Sequence, residues 1–240
     1  MRIFCLIPAL NEKGNLTELT SALYRILPKM CSDFLIFFII QGNDGSINLL
    51  KKLKLKYKKI GWQYYPYALG IGCAYKTGFN QVNSYFTHAL TLDADLNHDP
   101  AVLPRFIDKM KRTNADLVIG SRFVKGGKFA DRRTWKKIIS RLMNRLITKY
   151  ADLNIHDLSS GYRLIKRKVI DEVKDNLTES GYPSYMEFVI TAAFKGFKIR
   201  EVPISYKSRV WGKSKMGKFQ TMNAYLRFLL RLALDFKKPD

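Results

Sequence analysis

The feature that most constrains this chain is the alternation of short apolar runs with helical segments along its first half. The apolar runs predict strands at Ile3–Ile7, Phe34–Ile40, Gly61–Tyr65, Ala89–Leu92 and Leu117–Ile119. Segments with helical spacing separate the earlier strands, at Asn15–Ile26, 46–56 and Gly70–Val82. Strands separated by such helices form βαβ units, so we predict an α/β fold with a mostly parallel central sheet flanked by helices. Ligands of such sheets bind beyond the carboxyl ends of the strands.

The second half of the chain carries two further amphipathic helices. The first, Trp135–Tyr150, has apolar side chains at helical spacing and a basic stripe formed by Lys137, Arg141, Arg145 and Lys149. The last helix, at about Phe219–Phe236, is apolar except for a narrow stripe that holds Arg227, Arg231 and Asp235. A helix of that kind must be buried in protein or in lipid, and the sequence leaves both open.

The composition is that of a folded protein without a membrane-spanning segment. With 240 residues, 47% of them apolar, the chain can build one sizeable core. Its three cysteines, Cys5, Cys31 and Cys73, have no metal-ligand spacing, and we expect a reduced, cytosolic setting. No apolar run reaches the roughly 18 residues of a spanning helix, and no secretory leader is visible. We therefore expect any membrane contact to be peripheral.

The charge is strongly basic. The chain has 42 basic and 20 acidic residues, a net charge of +22. Such an excess points to an anionic partner, which could be nucleic acid, an anionic membrane or a phosphorylated ligand, although a lysine-rich composition explains part of it. Familiar nucleic-acid recognition motifs are absent from the sequence, so we expect no nucleic-acid partner.

The most informative stretch follows the fourth predicted strand. It reads Thr-Leu-Asp-Ala-Asp-Leu-Asn over residues 91–97. Residues i and i+2 of an extended strand point the same way, so Asp93, Asp95 and Asn97 could face one cation together. Ligands that are all oxygens suit hard cations such as Mg²⁺ or Mn²⁺. The alternative is an ordinary turn, because Asp and Asn are common in loops for local reasons.

This stretch is one of several that together resemble family 2 glycosyltransferases, and within them the dolichyl-phosphate (polyprenyl-phosphate) mannose synthases. The matching segments lie in order along the chain at Ile7–Glu12, Leu69–Tyr75, Leu92–His98, Gly120–Arg122, Lys136–Arg141, Gly161–Arg163, Glu201–Ile204 and Arg209–Lys215. Each segment alone is weak, whereas their order and spacing together are specific.

The resemblance implies a Rossmann-like glycosyltransferase A-type fold and a metal-dependent, inverting hexosyltransferase. A hexose, with mannose favoured, would move from a nucleotide-sugar to a polyprenyl or dolichyl phosphate. Mg²⁺ or Mn²⁺ would be held by Asp93, Asp95 and Asn97. The nucleotide-sugar would be bound by Pro8, Glu12, Gln41, Asp44, Asp93 and Ala94. The acceptor phosphate would be bound by Arg122, Lys136, Ser140, Arg209 and Lys215. The expected catalytic residues are Asp95, Arg122 and Arg209.

The resemblance also implies an organisation and a setting. We expect a glycosyltransferase domain at 1–218, in which 1–125 binds nucleotide-sugar and metal and 126–218 forms the acceptor side. An amphipathic helix at 219–240 would contact the membrane or a partner. The protein would lie on the cytoplasmic membrane face, attached peripherally to the membrane surface. Because members of the family can require a membrane-spanning partner subunit, such a partner is also compatible with the sequence.

Two positions depart from the pattern of the family. Lys136 stands where the family usually has Arg, which keeps the charge but loses the bidentate fork. Gln41 stands where the family commonly has an Asp that contacts the base, unless Asp44 serves in its place. Gln both donates and accepts hydrogen bonds whereas Asp only accepts, so the sequence does not decide between guanine and uracil.

The sequence leaves two classes of acceptor open. A phosphate acceptor is already anionic and needs only positioning by cations, whereas a hydroxyl acceptor, as in polysaccharide synthesis, needs a general base. We interpret His98 as a cap or loop residue, give His88 and His156 no catalytic role, and consider Asp157 a supporting or sugar-binding residue. Two further hypotheses remain beside that of an enzyme. The chain could be a basic module that binds nucleic acid or membrane, or it could be an inactive relative of the family.

Overall fold

The computed structural model describes residues 1–130, 134–207 and 217–235. Within these ranges the strands are β1 (Arg2–Leu10), β2 (Asp33–Gln41), β3 (Ile60–Tyr65), β4 (His88–Thr91), β5 (Leu117–Ser121), β6 (Lys128–Phe129), β7 (Arg163–Lys166), β8 (Ile199–Pro203) and β9 (Ser205–Tyr206). The helices are α1 (Lys13–Met30), α2 (Ser46–Lys56), α3 (Ile71–Phe79), α4 (Leu103–Thr113), α5 (Thr134–Tyr150), α6 (Arg167–Val173), α7 (Ser184–Phe194) and α8 (Lys218–Asp235).

The central sheet confirms the predicted α/β architecture. Seven strands of the described residues form it, in the order β3-β2-β1-β4-β7-β5-β8. All neighbouring pairs are parallel except those of β7, which runs antiparallel to both β4 and β5. A small parallel pair, β6 and β9, lies beside the carboxyl end of β5. The sheet is therefore mostly parallel, with one reversed strand near its middle.

The predicted strands and helices of the first half are present with small shifts at their ends. The predicted strand Ala89–Leu92 is observed as His88–Thr91, and the predicted helix Gly70–Val82 as Ile71–Phe79. Sequence analysis missed β7 and the helices α4, α6 and α7. The division into domains remains a prediction.

Alternate side chains of the strands point into two hydrophobic layers. In β1, Phe4 and Leu6 face one layer, whereas Ile3, Cys5 and Ile7 face the other. Buried side chains of α1, α2 and α4 cover the second layer, and those of α3, α5, α6, α7 and α8 cover the first. The sheet is thus sandwiched between helices, and Cys5 is a core residue.

The last helix has two different faces. Tyr225, Phe228 and Leu232 of α8 are buried in the first layer, whereas Leu230 and Leu234 are 66% and 78% exposed. The sequence left open whether this helix is buried in protein or in lipid. Its inner side is buried in protein, and its outer side is exposed. None of the helices that the structure describes combines the length and the hydrophobicity that a membrane span requires.

Candidate functional site

A cavity of about 300 Å³ lies at the carboxyl edge of the sheet, where β1, β2, β4 and β5 end. Side chains of α5, α7 and α8 also line it. Many predicted site residues come together on its wall, namely Pro8, Glu12, Gln41, Asp93, Ala94, Asp95, Arg122, Lys136 and Ser140. Asp44 and Asn97 do not line it, and Arg209 and Lys215 lie outside the described residues.

The two predicted metal-binding carboxylates both line the cavity, but not as members of an extended strand. β4 ends at Thr91, and the chain then turns over residues 94–96, with Leu96 in the left-handed region at φ 60°. The expected extended geometry is therefore wrong, because the strand ends before the carboxylates begin. Asp95 is only 3% exposed, whereas the Asp93 side chain is 26% exposed.

Asn97 lies beside Asp95 but does not line the cavity, and its role as a third metal ligand stays a prediction. Its Nδ2 donates to Asp95 Oδ2 at 2.7 Å and to the Tyr206 hydroxyl at 2.6 Å. Its backbone N–H also donates to Asp95 Oδ1 at 3.2 Å. Asn97 thus orients the Asp95 carboxylate through its N–H groups, while its Oδ1 has no hydrogen-bond partner among the described residues.

Asp93 is oriented by a residue that sequence analysis missed. The hydroxyl of Tyr185, on α7, donates to Asp93 Oδ1 at 2.9 Å. Burial raises the pKa of Tyr185 well above its usual value, so this hydroxyl stays a neutral donor. Gly161 leaves room for the pair, because a Cβ there would lie 2.9 Å from the Tyr185 ring and 3.0 Å from Asp93 Oδ1.

His98 belongs to the cavity wall and is not merely a loop residue as the sequence suggested. It is 2% exposed, and Asp99 instead caps the short 3-10 turn Pro100–Val102 before α4, accepting from the Ala101 N–H at 2.9 Å. The His98 Nδ1 lies 3.7 Å from Asp93 Oδ2 and has no hydrogen-bond partner among the described residues. Burial lowers the pKa of His98 more than Asp93 raises it, so the ring is neutral near pH 7.

The donor set beside this turn fits a hard divalent cation that is shared with a substrate. Among the described residues, no group of three His, Cys, Asp or Glu side chains forms a complete metal cage. Mg²⁺-like sites commonly use one or two carboxylates and take their remaining ligands from water and substrate phosphate. Asp93 and Asp95 on the cavity wall match that pattern, and the unpartnered His98 Nδ1 beside them is a further available ligand atom.

Arg122, the residue directly after β5, forms a buried ion pair with Asp157. Its Nε donates to Asp157 Oδ2 and its Nη2 to Asp157 Oδ1, both at 2.8 Å, and its backbone N–H adds a third bond at 2.9 Å. The guanidinium also lies over the Phe129 ring, 4.4 Å from its centroid. Both carboxylate oxygens and the ring hold the guanidinium, so it has one fixed orientation.

Arg122 and Asp157 each stabilise the charged form of the other, although burial disfavours both charges. Burial disfavours the charged form of Arg122, but Asp157 outweighs it, and the pKa of Arg122 is raised above its ordinary value. Burial likewise raises the pKa of Asp157, but the Arg122 charge and hydrogen bonds outweigh it, and the net pKa is lowered. The cavity therefore has a permanent cation on this wall.

Two serine hydroxyls lie next to Nη2 of the Arg122 guanidinium. Its Nη2 donates to Ser159 Oγ at 2.6 Å, and Ser159 Oγ lies 2.8 Å from Ser140 Oγ on α5. Asn144, one turn further along α5, donates to Ser159 Oγ at 3.1 Å. With Lys136 also on the wall, these groups provide the charge and donors that bind a phosphate.

The opposite side of the cavity is formed by the ends of β1 and β2. Pro8, Leu10 and Ala68 provide apolar surface beside Gln41. The Gln41 side chain is not free to turn, because its Oε1 accepts the Leu69 N–H at 2.8 Å. Glu12 also lines the cavity and accepts from Asn15 Nδ2 at 2.7 Å.

Asp44, unlike Gln41, does not line the cavity. Its carboxylate accepts from the Lys13 N–H at 2.8 Å and from the Ser46 hydroxyl at 2.6 Å and N–H at 3.0 Å. The carboxylate is therefore used to hold the start of α2 against α1, outside the cavity lining. The nucleotide-binding role expected of Asp44 stays a prediction.

Three further tyrosines line the cavity, namely Tyr182, Tyr206 and Tyr225. They come from the loop before α7, from β9 and from α8, which sequence analysis did not connect to the site. A lone tyrosine gives no signal in a sequence, because aromatic residues are equally expected in the core. Burial raises the pKa of Tyr225, so its hydroxyl is also neutral.

The sequence matches one family model and is similar to two characterised enzymes. The family model described as glycosyl transferase family 2 matches residues 4–174. Polyprenol monophosphomannose synthase of Mycolicibacterium smegmatis is 29% identical, over 90% of this chain and 81% of that protein. Dolichol-phosphate mannosyltransferase of Pyrococcus furiosus is 30% identical, over 97% of this chain and 64% of that protein.

Solved structures share the fold at low sequence identity. Glucosyl-3-phosphoglycerate synthase from Mycobacterium tuberculosis, solved with Mn²⁺ and UDP-glucose, superposes with a TM-score of 0.70 and 14% identity. The match covers 100% of this chain and 80% of that one. Another structure of that enzyme, with Mn²⁺, UDP-glucose and glycerol 3-phosphate, has a TM-score of 0.65 and 16% identity. At these identities the likeness concerns the fold.

Proposed function

Because the chain belongs to glycosyl transferase family 2, we propose that it transfers a hexose, with mannose favoured, from a nucleotide-sugar to a polyprenyl or dolichyl phosphate. The reaction would invert the anomeric centre. The two sequence relatives are named for mannose transfer to polyprenol and dolichol phosphates, which supports this acceptor class. Residues 1–125 would bind the donor, and 126–218, together with Arg122, the acceptor.

One observation carries the proposal: a single cavity has a carboxylate pair on one wall and a buried cation with serine hydroxyls on another. Asp93 and Asp95 would hold Mg²⁺ or Mn²⁺, which would stabilise the charge that develops on the leaving diphosphate. Pro8 and Glu12 would border the nucleotide, and Gln41 would face its base. The donor phosphates and the acceptor phosphate would thus meet between the two walls.

The second wall suits an anionic acceptor better than a hydroxyl. Arg122 is fixed by Asp157. Ser159 Oγ accepts from Arg122 and donates to Asp157, and the Ser140 hydroxyl lies 2.8 Å from it on the cavity wall. A phosphate oxygen is already a nucleophile when it is placed by such groups, with no proton to remove. Arg122 and Lys136 would orient the acceptor and offset its repulsion from the donor diphosphate. Arg209 and Lys215, outside the described residues, are proposed to act on the same phosphate.

A surface beside the cavity supports attachment to a membrane. Exposed apolar side chains follow one another along α5 and α8: Ile138, Leu142, Leu146, Phe219, Met222, Leu226, Leu230 and Leu234. The two helices contact each other, and α5 also exposes Arg141, Arg145 and Lys149. Apolar side chains flanked by basic ones suit an anionic lipid surface. We propose peripheral attachment at the cytoplasmic membrane face through this α5–α8 surface, near the site where a lipid phosphate would enter.

The test of the reaction is transfer from a panel of radiolabelled nucleotide-sugars to a polyprenyl phosphate. Reactions would contain Mg²⁺, Mn²⁺ or a chelator. Metal-dependent label in the organic phase is the expected result, and the donor that gives it identifies the sugar. Absence of label with every donor, in a protein that binds nucleotide with metal, would favour a hydroxyl acceptor or a missing membrane subunit.

The test of attachment is sedimentation with vesicles that contain anionic phospholipid. We expect the protein to pellet with them, and Leu226→Glu combined with Leu230→Glu to reduce the bound fraction at least about tenfold. Leu55→Glu is a matched control, because Leu55 is 75% exposed on α2, in the opposite helical layer. Equal binding of both variants would refute this surface, and pelleting only after addition of a membrane protein would favour a partner subunit.

A further inference from the structure

Arg163 lies beneath the cavity, between the two walls that the proposed reaction uses. It is the first residue of β7, the reversed strand that runs between β4 and β5. On one side it pairs with Thr91 of β4, two residues before Asp93. On the other side it pairs with Ile119 of β5, three residues before Arg122. β7 therefore begins between the strand that leads to the carboxylates and the strand that leads to the cation.

The Arg163 side chain belongs to neither wall. It is 4% exposed and does not line the cavity. Its guanidinium carbon lies 5.4 Å from the centroid of the Tyr185 ring and 5.6 Å from that of Phe188, in the first hydrophobic layer. Burial lowers the pKa of Arg163 to about 10, so the side chain stays charged near pH 7. A buried charge is costly, and this one does not reach the substrate site, so its role lies in the groups that it holds.

Three backbone carbonyl oxygens accept hydrogen bonds from Arg163, and they belong to two segments of the chain. Nη2 donates to the carbonyls of Tyr185 at 2.6 Å and Leu158 at 2.9 Å, and Nε donates to that of Ser160 at 2.8 Å. The donors of a guanidinium form a rigid planar fork, so the three carbonyls are fixed relative to one another. Arg163 thereby ties the start of α7 to the segment 157–160.

Each of these two segments supports one wall of the cavity. On α7, the Tyr185 hydroxyl donates to Asp93. The segment 157–160 begins with Asp157, whose two carboxylate oxygens hold the guanidinium of Arg122. One buried side chain thus connects the support of a metal-binding carboxylate with the support of the cation that would face the acceptor phosphate.

Other hydrogen bonds hold the second segment independently of Arg163. The Thr91 hydroxyl donates to the Gly161 carbonyl at 2.7 Å, and Asn144 Oδ1 accepts the Leu158 N–H at 2.6 Å. These bonds would remain after replacement of Arg163. Each wall would then keep its own contacts, while the connection between the walls would be lost.

We infer that Arg163 is a positioning residue, which sets the distance between the Asp93 carboxylate and the Arg122 guanidinium and so between the donor and acceptor groups that bind to them. The inference rests on the proposed function, since both groups belong to that reaction. A misplacement of about 1 Å between reacting groups costs about 10²-fold in rate. Loss of Arg163 should therefore lower kcat and leave the affinity for each substrate nearly unchanged.

The experiment compares Arg163→Met and Arg163→Lys with the unmodified chain in the transfer of label to a polyprenyl phosphate. Rates are measured well below the Tm of each variant. The concentration of competent sites is taken by calorimetry, from the stoichiometry of Mn²⁺-dependent binding of the nucleoside diphosphate that the active donor releases. We expect kcat per competent site to fall about 10²-fold in Arg163→Met, while KM for each substrate changes by less than about threefold.

Arg163→Lys is the milder variant and keeps the test available if Arg163→Met does not fold. Lys retains the charge and can donate to a carbonyl, but it lacks the planar fork, so kcat should fall only about tenfold. Ile165→Ala is the matched control, because Ile165 is fully buried on the same strand. The cavity that it creates should lower Tm, whereas kcat per competent site should stay unchanged.

The outcomes separate this inference from the proposed function. If the unmodified chain transfers no label from any donor, the proposed function is wrong and the inference falls with it. If the unmodified chain is active and both Arg163 variants keep its kcat per competent site, or if Ile165→Ala loses as much as they do, the role of Arg163 is structural and the inference alone is refuted. A rise of more than about tenfold in one KM at unchanged kcat would also refute it, because Arg163 would then support only one wall.

Discussion

Replacing Asp157 with Asn should destabilise the protein strongly, because it leaves the Arg122 guanidinium buried without its counterion. The Asp157 side chain is fully buried and that of Arg122 is 8% exposed, so solvent does not screen the pair. Asp157 accepts three hydrogen bonds from Arg122, two of them from the guanidinium. An Asn in its place would have to turn an N–H group toward one of those donors.

Removing one partner of a buried ion pair costs about 3–5 kcal/mol, whatever the net value of the intact pair. For a chain of this size, each kcal/mol lowers Tm by about 2–4 °C, so a decrease of roughly 6–20 °C is expected. The assay is thermal unfolding followed by circular dichroism at pH 7. Asp152→Asn is the matched control, because Asp152 is exposed, and it should change the free energy of unfolding by less than about 0.5 kcal/mol.

The pH dependence gives an independent check of the same reasoning. The pKa of Asp157 is lower in the folded protein than in the unfolded chain, so its stabilising effect is complete above about pH 5 and is lost as pH falls through the folded pKa. The difference in Tm between the two proteins should therefore shrink at acid pH. An Asp157→Asn protein that melts within about 2 °C of the unmodified one at pH 7 would refute the ion-pair argument.

Three other substitutions test the remaining parts of the site. Asp95→Asn should lower metal-dependent transfer by about 10²-fold or more while Tm is retained, and activity that survives in the transfer assay would exclude Asp95 as a metal ligand. Tyr185→Phe removes the donor to Asp93 and should weaken Mn²⁺-dependent nucleotide binding about 3- to 10-fold in calorimetry, whereas unchanged affinity would mean that Asp93 needs no such support. Arg231→Met removes the partner of Glu187 and should lower the free energy of unfolding by about 1–2 kcal/mol. This is less than the roughly 3–5 kcal/mol of a fully buried pair, because the Arg231 side chain is 27% exposed. Arg227→Met, at an exposed position of the same helix, is the control and should leave the free energy of unfolding unchanged.

The sheet could be predicted where burial leaves a periodic or continuous apolar pattern. β1 and β2 are long apolar runs, and α1 has one apolar side, so their types followed from the sequence. β7 is only four residues long, begins with Arg163 and ends with a lysine, which disguises it. Arg163 is 4% exposed, and its Nε and Nη2 donate to backbone carbonyl oxygens of Leu158, Ser160 and Tyr185. Such a use of arginine depends on the tertiary structure and has no local signature.

The candidate site shows the same division between local pattern and tertiary packing. The carboxylates could be predicted because they follow closely on a strand, whereas the role of Arg122 was implied only by the resemblance of Gly120–Arg122 to the family. Tyr185 could not be predicted, since nearly all of α7 is buried and the helix has no polar face to set its orientation. Strand periodicity could not place Asn97, because β4 ends at Thr91, before the carboxylates begin. The turn depends on Leu96 adopting a left-handed conformation that its residue type does not indicate.

The two faces of α8 connect the proposed membrane surface with the wall of the cavity. On its inner side Arg231 contacts Glu187 at 2.8 Å and Glu179 at 3.2 Å. Glu187 is 2% exposed and accepts the backbone N–H groups of Thr178 and Glu179 at 3.0 and 2.9 Å, so it holds the loop that continues into the cavity wall at Gly181. The outer side of the same helix carries the exposed leucines. Lipid that binds those leucines would stabilise the docked helix and, through Arg231, that loop. Contact with the membrane should therefore strengthen binding in the cavity as well as bring the acceptor near it.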